Sequence, residues 1–163
     1  LKIAEQHGYT IHNRDPYYST YEVPMSEVYS HIASEMPGEH IAWLNVTNPL
    51  AEGPIYSQAI EKYKSMASHY DCLLSVCGVQ DYFFFNGQPI NFKPYPCPRS
   101  QDLEEVYAMS FMINILPRQE LINRGTCVGE TPYFFLVDQV TSWDIDFQYD
   151  FDFCESIYLK KPL

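Results

Sequence analysis

Two carboxylates stand one residue apart in the segment Ser142–Asp150, SWDIDFQYD, directly after a tryptophan and beside several aromatics. Side chains of an extended segment repeat with period two, so Asp144 and Asp146 are expected on one face. Paired hard oxygens suit magnesium, which takes one or two carboxylates and fills its remaining positions with substrate phosphate and water. The plainer reading makes Asp146 the cap of the helix that follows and leaves Asp144 solvated. Composition and period alone do not separate the two.

Other residues could also do chemistry. Thr47 and Asn48 close an apolar run, and at the C-terminal end of a strand they could hydrogen-bond a base or ribose, although an ordinary turn has the same composition. Arg99, one of ten basic residues, sits in a proline-rich loop. It could clamp a carboxylate or phosphate through both guanidinium nitrogens, or be a plain surface arginine. The histidines show neither H-x-x-x-H nor H-E-x-x-H spacing, which disfavours zinc. A G-x-S-x-G elbow and a glycine-rich phosphate loop are both missing. Five cysteines without a C-x-x-C pair signal neither a disulfide framework nor a zinc knuckle.

The elements that position these residues follow from composition and pattern. With 163 residues, 46% hydrophobic and 16% aromatic, the chain can bury a core as one domain. Its net charge of −11 repels a nucleic-acid backbone or an anionic membrane, so an anionic substrate needs a cation as mediator. No apolar run approaches the roughly twenty residues of a membrane span, and the N-terminus lacks signal-peptide features; a soluble cytoplasmic protein is expected.

Helical spacing runs from Met25 to Met36, from Pro54 to about Ser68, from Pro117 to Arg124 before Gly125, and from about Phe147 to Leu159. Strands are expected over Tyr9 to Asn13, His40 to Val46 as a buried parallel strand, Cys72 to Val79, Val106 to Ile115 and Tyr133 to Val137. This alternation predicts an α/β sheet. Asn86-Gly87 inside YFFFNGQPINF predicts a hairpin carrying Tyr82, Phe83, Phe84, Phe85 and Phe92. That hairpin either folds back on its own domain or meets another subunit.

Taken in order, WLNVTNPL, CLLSVCGV, the aromatic hairpin, PRSQDLEEVY and SWDIDFQYDF resemble the acylneuraminate cytidylyltransferase family, and the similarity spans nearly the whole chain. The family's Gln/Asn-x-Thr-x-Pro-Leu segment is matched by Asn45, Thr47, Pro49 and Leu50, and its Arg-x-Gln-x-Leu segment by Arg99, Gln101 and Leu103. Its metal-carrying Asp-Ile-Asp triplet is matched by Asp144, Ile145 and Asp146.

The resemblance implies a three-layer α/β/α Rossmann-like nucleotidyltransferase fold with an inserted hairpin at 81–103 that forms a homodimer. It implies Mg2+ on Asp144 and Asp146, which would be catalytic, and substrate contacts from Asn45, Thr47, Asn48, Arg99, Gln101 and Tyr107. The implied reaction is attack of a sugar acid's anomeric hydroxyl on the α-phosphate of CTP, releasing pyrophosphate. The family's N-terminal nucleotide loop has no counterpart, so residues 1–163 are expected to be an N-terminally incomplete cytidylyltransferase domain. Where the family often carries Asn-Gly after the tyrosine, this chain has Ala108, Met109, Ser110 and Phe111. A non-catalytic dimerising or ligand-binding homologue that lost the nucleotide loop is the alternative.

Overall fold

The apolar period switches between 3.6 and 2 along the chain, and helices and strands follow it. The computed structural model describes residues 2–160. In chain order these form α1 (Lys2–Gln6), α2 (Met25–Glu35), β1 (His40–Trp43), α3 (Gly53–Ser65), β2 (Cys72–Val79), β3 (Phe84–Phe85), β4 (Gln88–Pro89), β5 (Val106–Pro117), α4 (Arg118–Arg124), β6 (Pro132–Leu136) and α5 (Gln148–Tyr158). The architecture is mixed α/β. The strand expected over Tyr9 to Asn13 is absent, and that segment has no regular structure. Its alternation rests on Tyr9 and Ile11 alone, too little apolar surface to hold a strand in place.

The chain forms two compact units. One holds residues 2–41 and Pro117–Thr126; the other holds Ala42–Leu116 and residues 127–160. In the first, α2 packs on α4 and buries Val28, Ala33 and Leu121. The Ser30 hydroxyl donates to the Ile122 carbonyl at 2.9 Å, and the Arg118 guanidinium to the Ala33 carbonyl at 3.2 Å. Helix α4 stops at Gly125, whose φ of +61° only glycine adopts cheaply; a Cβ there would lie 2.7 Å from the Ser26 carbonyl.

The main sheet has the order β1-β5-β2-β6. Strand β2 runs antiparallel to β5 and parallel to β6, so the sheet is mixed. The run His40–Val46 is not the buried strand its composition suggests. Its ordered part, β1, lies at the sheet edge with alternating exposed and half-buried residues, and Val46 is 96% exposed. An edge strand has one neighbour, and an unbroken apolar run in sequence does not reveal how many neighbours a strand has. In the second unit α3 contributes Ala59, Ile55, Tyr56 and Tyr63 to a core with Leu73, Met112, Ile113, Ile115 and Val137. Each buried Leu, Ile or Val there contributes roughly 1.5–3 kcal/mol.

The hairpin forms as its turn signal requires: Asn86 (φ +49°) and Gly87 (φ +76°) are both left-handed between β3 and β4. Buried Asn91 pins its base, accepting from the Phe83 amide at 3.0 Å and donating to the Asp81 carbonyl at 2.7 Å and the Glu104 carbonyl at 3.0 Å. Tyr82 and Phe84 set their rings edge-on to Phe92, while Phe84 and Phe85 remain largely exposed. Among the described residues no helix is long and apolar enough to cross a membrane.

Candidate functional site

The framing of the site begins in β5. Its pairing with β2 jumps from Leu74↔Asn114 to Val76↔Met109, so the stretch around Ser110 and Phe111 bulges out of the ladder. Phe111 sits at φ +54°, a conformation that costs a bulky residue about 1–2 kcal/mol. Buried side chains hold the bulge. The Ser110 hydroxyl donates to Ser75 Oγ at 2.9 Å, Ser75 Oγ accepts the Ile113 amide at 3.0 Å, and Asn114 Oδ1 accepts the Ser75 amide at 3.3 Å.

The carbonyls freed by the bulge carry the loop after β1. Phe111 O accepts the Asn45 amide at 3.3 Å, and Asn48 Nδ2 reaches Ser110 O at 3.4 Å. Asn48, 3% exposed, also donates to Ser142 O at 3.1 Å and Trp143 O at 3.2 Å. Thr47 O accepts the Ile145 amide at 2.9 Å. These bonds fix the aspartate segment from one side. An adjoining turn fixes its approach: Asp138 accepts from the Val140 and Thr141 amides, both at 3.0 Å. The Thr141 side-chain hydrogen bond, then its amide, hold the Asp138 carboxyl below the usual range, so the turn is firm at neutral pH and loosens as acid protonates it.

In the segment thus held, Asp144 and Asp146 both line a cleft of about 330 Å³, bordered by Cys77, Gln139 and Phe147. Ile145 turns the other way, into a separate apolar pocket with Leu50 and Cys154. The two carboxylates thus share one cleft, which Trp143 and Phe147 beside them also line. Asp144 is half-buried, and its Oδ1 is buried without a hydrogen-bond partner; the Asp146 side chain is exposed.

Neither of them caps α5. The cap is Asp150, 6% exposed, reaching back from the first turn of the helix. It accepts from the Phe147 amide at 2.9 Å, the Asp146 amide at 3.2 Å and the Trp143 indole Nε1 at 3.1 Å. This is the reach-back half of a capping box, with the N-cap position occupied by phenylalanine. The plainer sequence reading, Asp146 as cap, is thereby overturned. The cue was present: an acid three residues after the expected helix start.

The remaining candidates lie elsewhere. Asn45 Oδ1 accepts from the Trp43 indole at 3.1 Å, close to its own backbone. Asn48 Nδ2 is consumed by the loop bonds above, while its Oδ1 is buried without a hydrogen-bond partner. Arg99 already holds a fork, its Nε and Nη2 donating to Asp102 at 2.6 and 3.0 Å on the exposed surface. Gln101 is exposed and its carbonyl accepts from Gln80. Tyr107 leans on Phe134, and a hydrogen bond to Glu105 raises its phenol pKa. Arg99, Gln101 and Tyr107 are not among the residues lining the aspartate cleft. Asp150, Ser75, Ser110 and Asn114 are the positioning residues that sequence reasoning missed.

Asn48 offers a direct check of this frame. Asn48→Ala leaves three carbonyls short of a donor and is expected to destabilise the chain by about 1–3 kcal/mol. Asn48→Asp, which aims a carboxylate at those carbonyls, will cost more. Urea unfolding of both variants measures the order.

Comparison with known proteins adds no assignment: no protein-family model matches the chain, and no curated protein matches it.

Proposed function

We propose that this chain is a magnesium-dependent cytidylyltransferase of the acylneuraminate type, with the three-layer Rossmann-like nucleotidyltransferase fold of that family. The observation that carries the proposal is Asp144 Oδ1, buried and unpartnered in the same cleft as the exposed Asp146 carboxylate. A buried acceptor without a donor is costly, and a cation is the natural relief. Among the described residues no group of three or more His, Cys, Asp or Glu side chains gathers as a metal site. Two carboxylates nonetheless fit magnesium, which leaves most of its positions to water and phosphate, whereas zinc would want more protein ligands.

Magnesium held there would neutralise the phosphate charge that an acidic protein cannot otherwise meet. Asp144 and Asp146 would hold it, and Asp150, Asn48 and Thr47 would keep both carboxylates aimed into the cleft. The anomeric hydroxyl of the sugar acid attacks the α-phosphate of CTP, forming the new P–O bond as the bond to pyrophosphate breaks, and the hydroxyl proton passes to water. The test is pyrophosphate release from CTP and magnesium with sialic, legionaminic, pseudaminic and deoxy-octulosonic acids. Release with none of them sinks the proposal, and faster release from GTP moves it to another base.

One observation favours a second reading, a ligand-binding homologue without turnover. The Arg99 fork is occupied by Asp102, and the substrate contacts expected of Arg99, Gln101 and Tyr107 lie outside the aspartate cleft. Calorimetric binding of magnesium and CTP without pyrophosphate release would support it.

The homodimer belongs to the same proposal. Phe84 and Phe85, 62% and 68% exposed on the 81–103 hairpin, supply the apolar surface a partner copy would cover. Light scattering at micromolar concentration is expected to give twice the chain mass; a monomer contradicts it.

A further inference from the structure

Phe147 and Tyr149 stand 61% and 65% exposed where the aspartate cleft opens, their rings stacked 5.4 Å apart at 16°. They straddle the start of α5, where the Asp150 carboxylate anchors the Phe147 amide, so the pair is presented by an ordered helix end. Two large rings stacked in parallel at the rim of a cleft leave an outer ring face exposed, which a ligand can cover.

The cleft's polar groups say what kind of ligand. Its side-chain donors are largely engaged: Gln139 Nε2 donates to Gly78 O at 3.2 Å, Ser142 Oγ to Gln139 O at 3.2 Å, and the Trp143 indole to Asp150 at 3.1 Å. What it offers is acceptors, the oxygens of Asp144 and Asp146. Among the described residues lining it, none is basic. A complementary ligand therefore brings hydrogen-bond donors together with an apolar face. A pyranose ring has both, hydroxyls at its edge and a face of C–H bonds that packs on aromatic rings. Cytosine is a poorer match: its N4 amino group donates, but the neighbouring N3 and O2 are acceptors that would meet carboxylates.

We propose that Phe147 and Tyr149 form a stacking platform for a polyhydroxylated pyranose ring, with Asp146, the more exposed carboxylate, accepting from its hydroxyls and the sugar acid's own carboxylate turned away from the acidic cleft toward solvent. The proposal deepens the cytidylyltransferase reading and rests on it for the identity of the sugar, but its test needs no turnover.

The experiment is saturation-transfer NMR on the full chain, with and without magnesium, using N-acetylneuraminic acid, deoxy-octulosonic acid and cytidine as probes. Transfer to the ring C–H protons of at least one sugar is expected. It should fall roughly fivefold or more in Phe147→Leu/Tyr149→Leu, which keeps apolar volume and removes the rings. Both side chains are exposed, so the variant should fold, and unchanged far-ultraviolet dichroism with an unchanged melting temperature checks that it has. The proposal is overturned by no transfer to either sugar, by undiminished transfer in the variant, or by loss of cytidine signals in place of sugar signals. Ring-dependent sugar binding without pyrophosphate release would sink cytidylyl transfer and keep the platform. Full turnover with unchanged KM for the sugar in the variant would do the reverse.

Discussion

Asp144→Asn and Asp146→Asn are each expected to lower magnesium-dependent turnover roughly 100- to 1,000-fold while leaving the fold intact. The magnitude follows from the several kcal/mol that a bound cation contributes to transition-state charge, at a factor of ten per ~1.4 kcal/mol. The intact fold follows from geometry. Asp144 Oδ1 has no hydrogen-bond partner to lose, and the Asp146 side chain is exposed. Both share the cleft with Asp150, and none of the described residues lining it is basic, so removing one negative charge relieves repulsion.

Without magnesium, therefore, each variant should melt at or slightly above the temperature of the parent chain. With magnesium the parent should gain stability, about 2.7 kcal/mol at a hundredfold excess over Kd, and the variants should gain little. A magnesium-induced shift that survives both substitutions would move the metal elsewhere in the molecule.

Asp150→Ala is expected to do the opposite, removing stability first and activity only through it. The carboxylate serves three donors at once, the amides of Asp146 and Phe147 and the Trp143 indole, from a nearly buried position. Unpaired buried donors cost about 1–3 kcal/mol each, and water reaching the exposed Asp146 and Phe147 offsets part of that. A net loss of about 3 kcal/mol is expected, a fall in Tm of roughly 6–12 °C for a chain of this size. Asp150→Asn keeps one acceptor oxygen and should lose about half as much. If Asp150 were instead a metal ligand, the alanine variant would keep its stability and lose its response to magnesium. Thermal unfolding with and without magnesium separates the two outcomes.

Much of the local structure was legible along the chain. Asn86-Gly87 turned the hairpin and Gly125 ended a helix, because each needs φ above zero and few residues accept it. The spacing of Asp144 and Asp146 pointed to a shared side, and the two do line one cleft while Ile145 lines another. Sheet position was not legible. The apolar run at His40–Val46 reads the same at an edge as in the centre, and only pairing places β1 at the margin of a mixed sheet.

The aspartate segment divides along the same line. Sequence by itself determined that two carboxylates stand one residue apart beside aromatic residues. Tertiary structure decided that Asp150 is the cap, that Asn48 ties down the loop, and that Phe147 and Tyr149 flank the cleft. Those outcomes depend on the β5 bulge, whose freed carbonyls meet Asn45 and Asn48 from more than 60 residues away in the chain. Hydrogen bonds between such distant segments leave no period and no local motif, because their partners are chosen by packing and not by neighbouring residues.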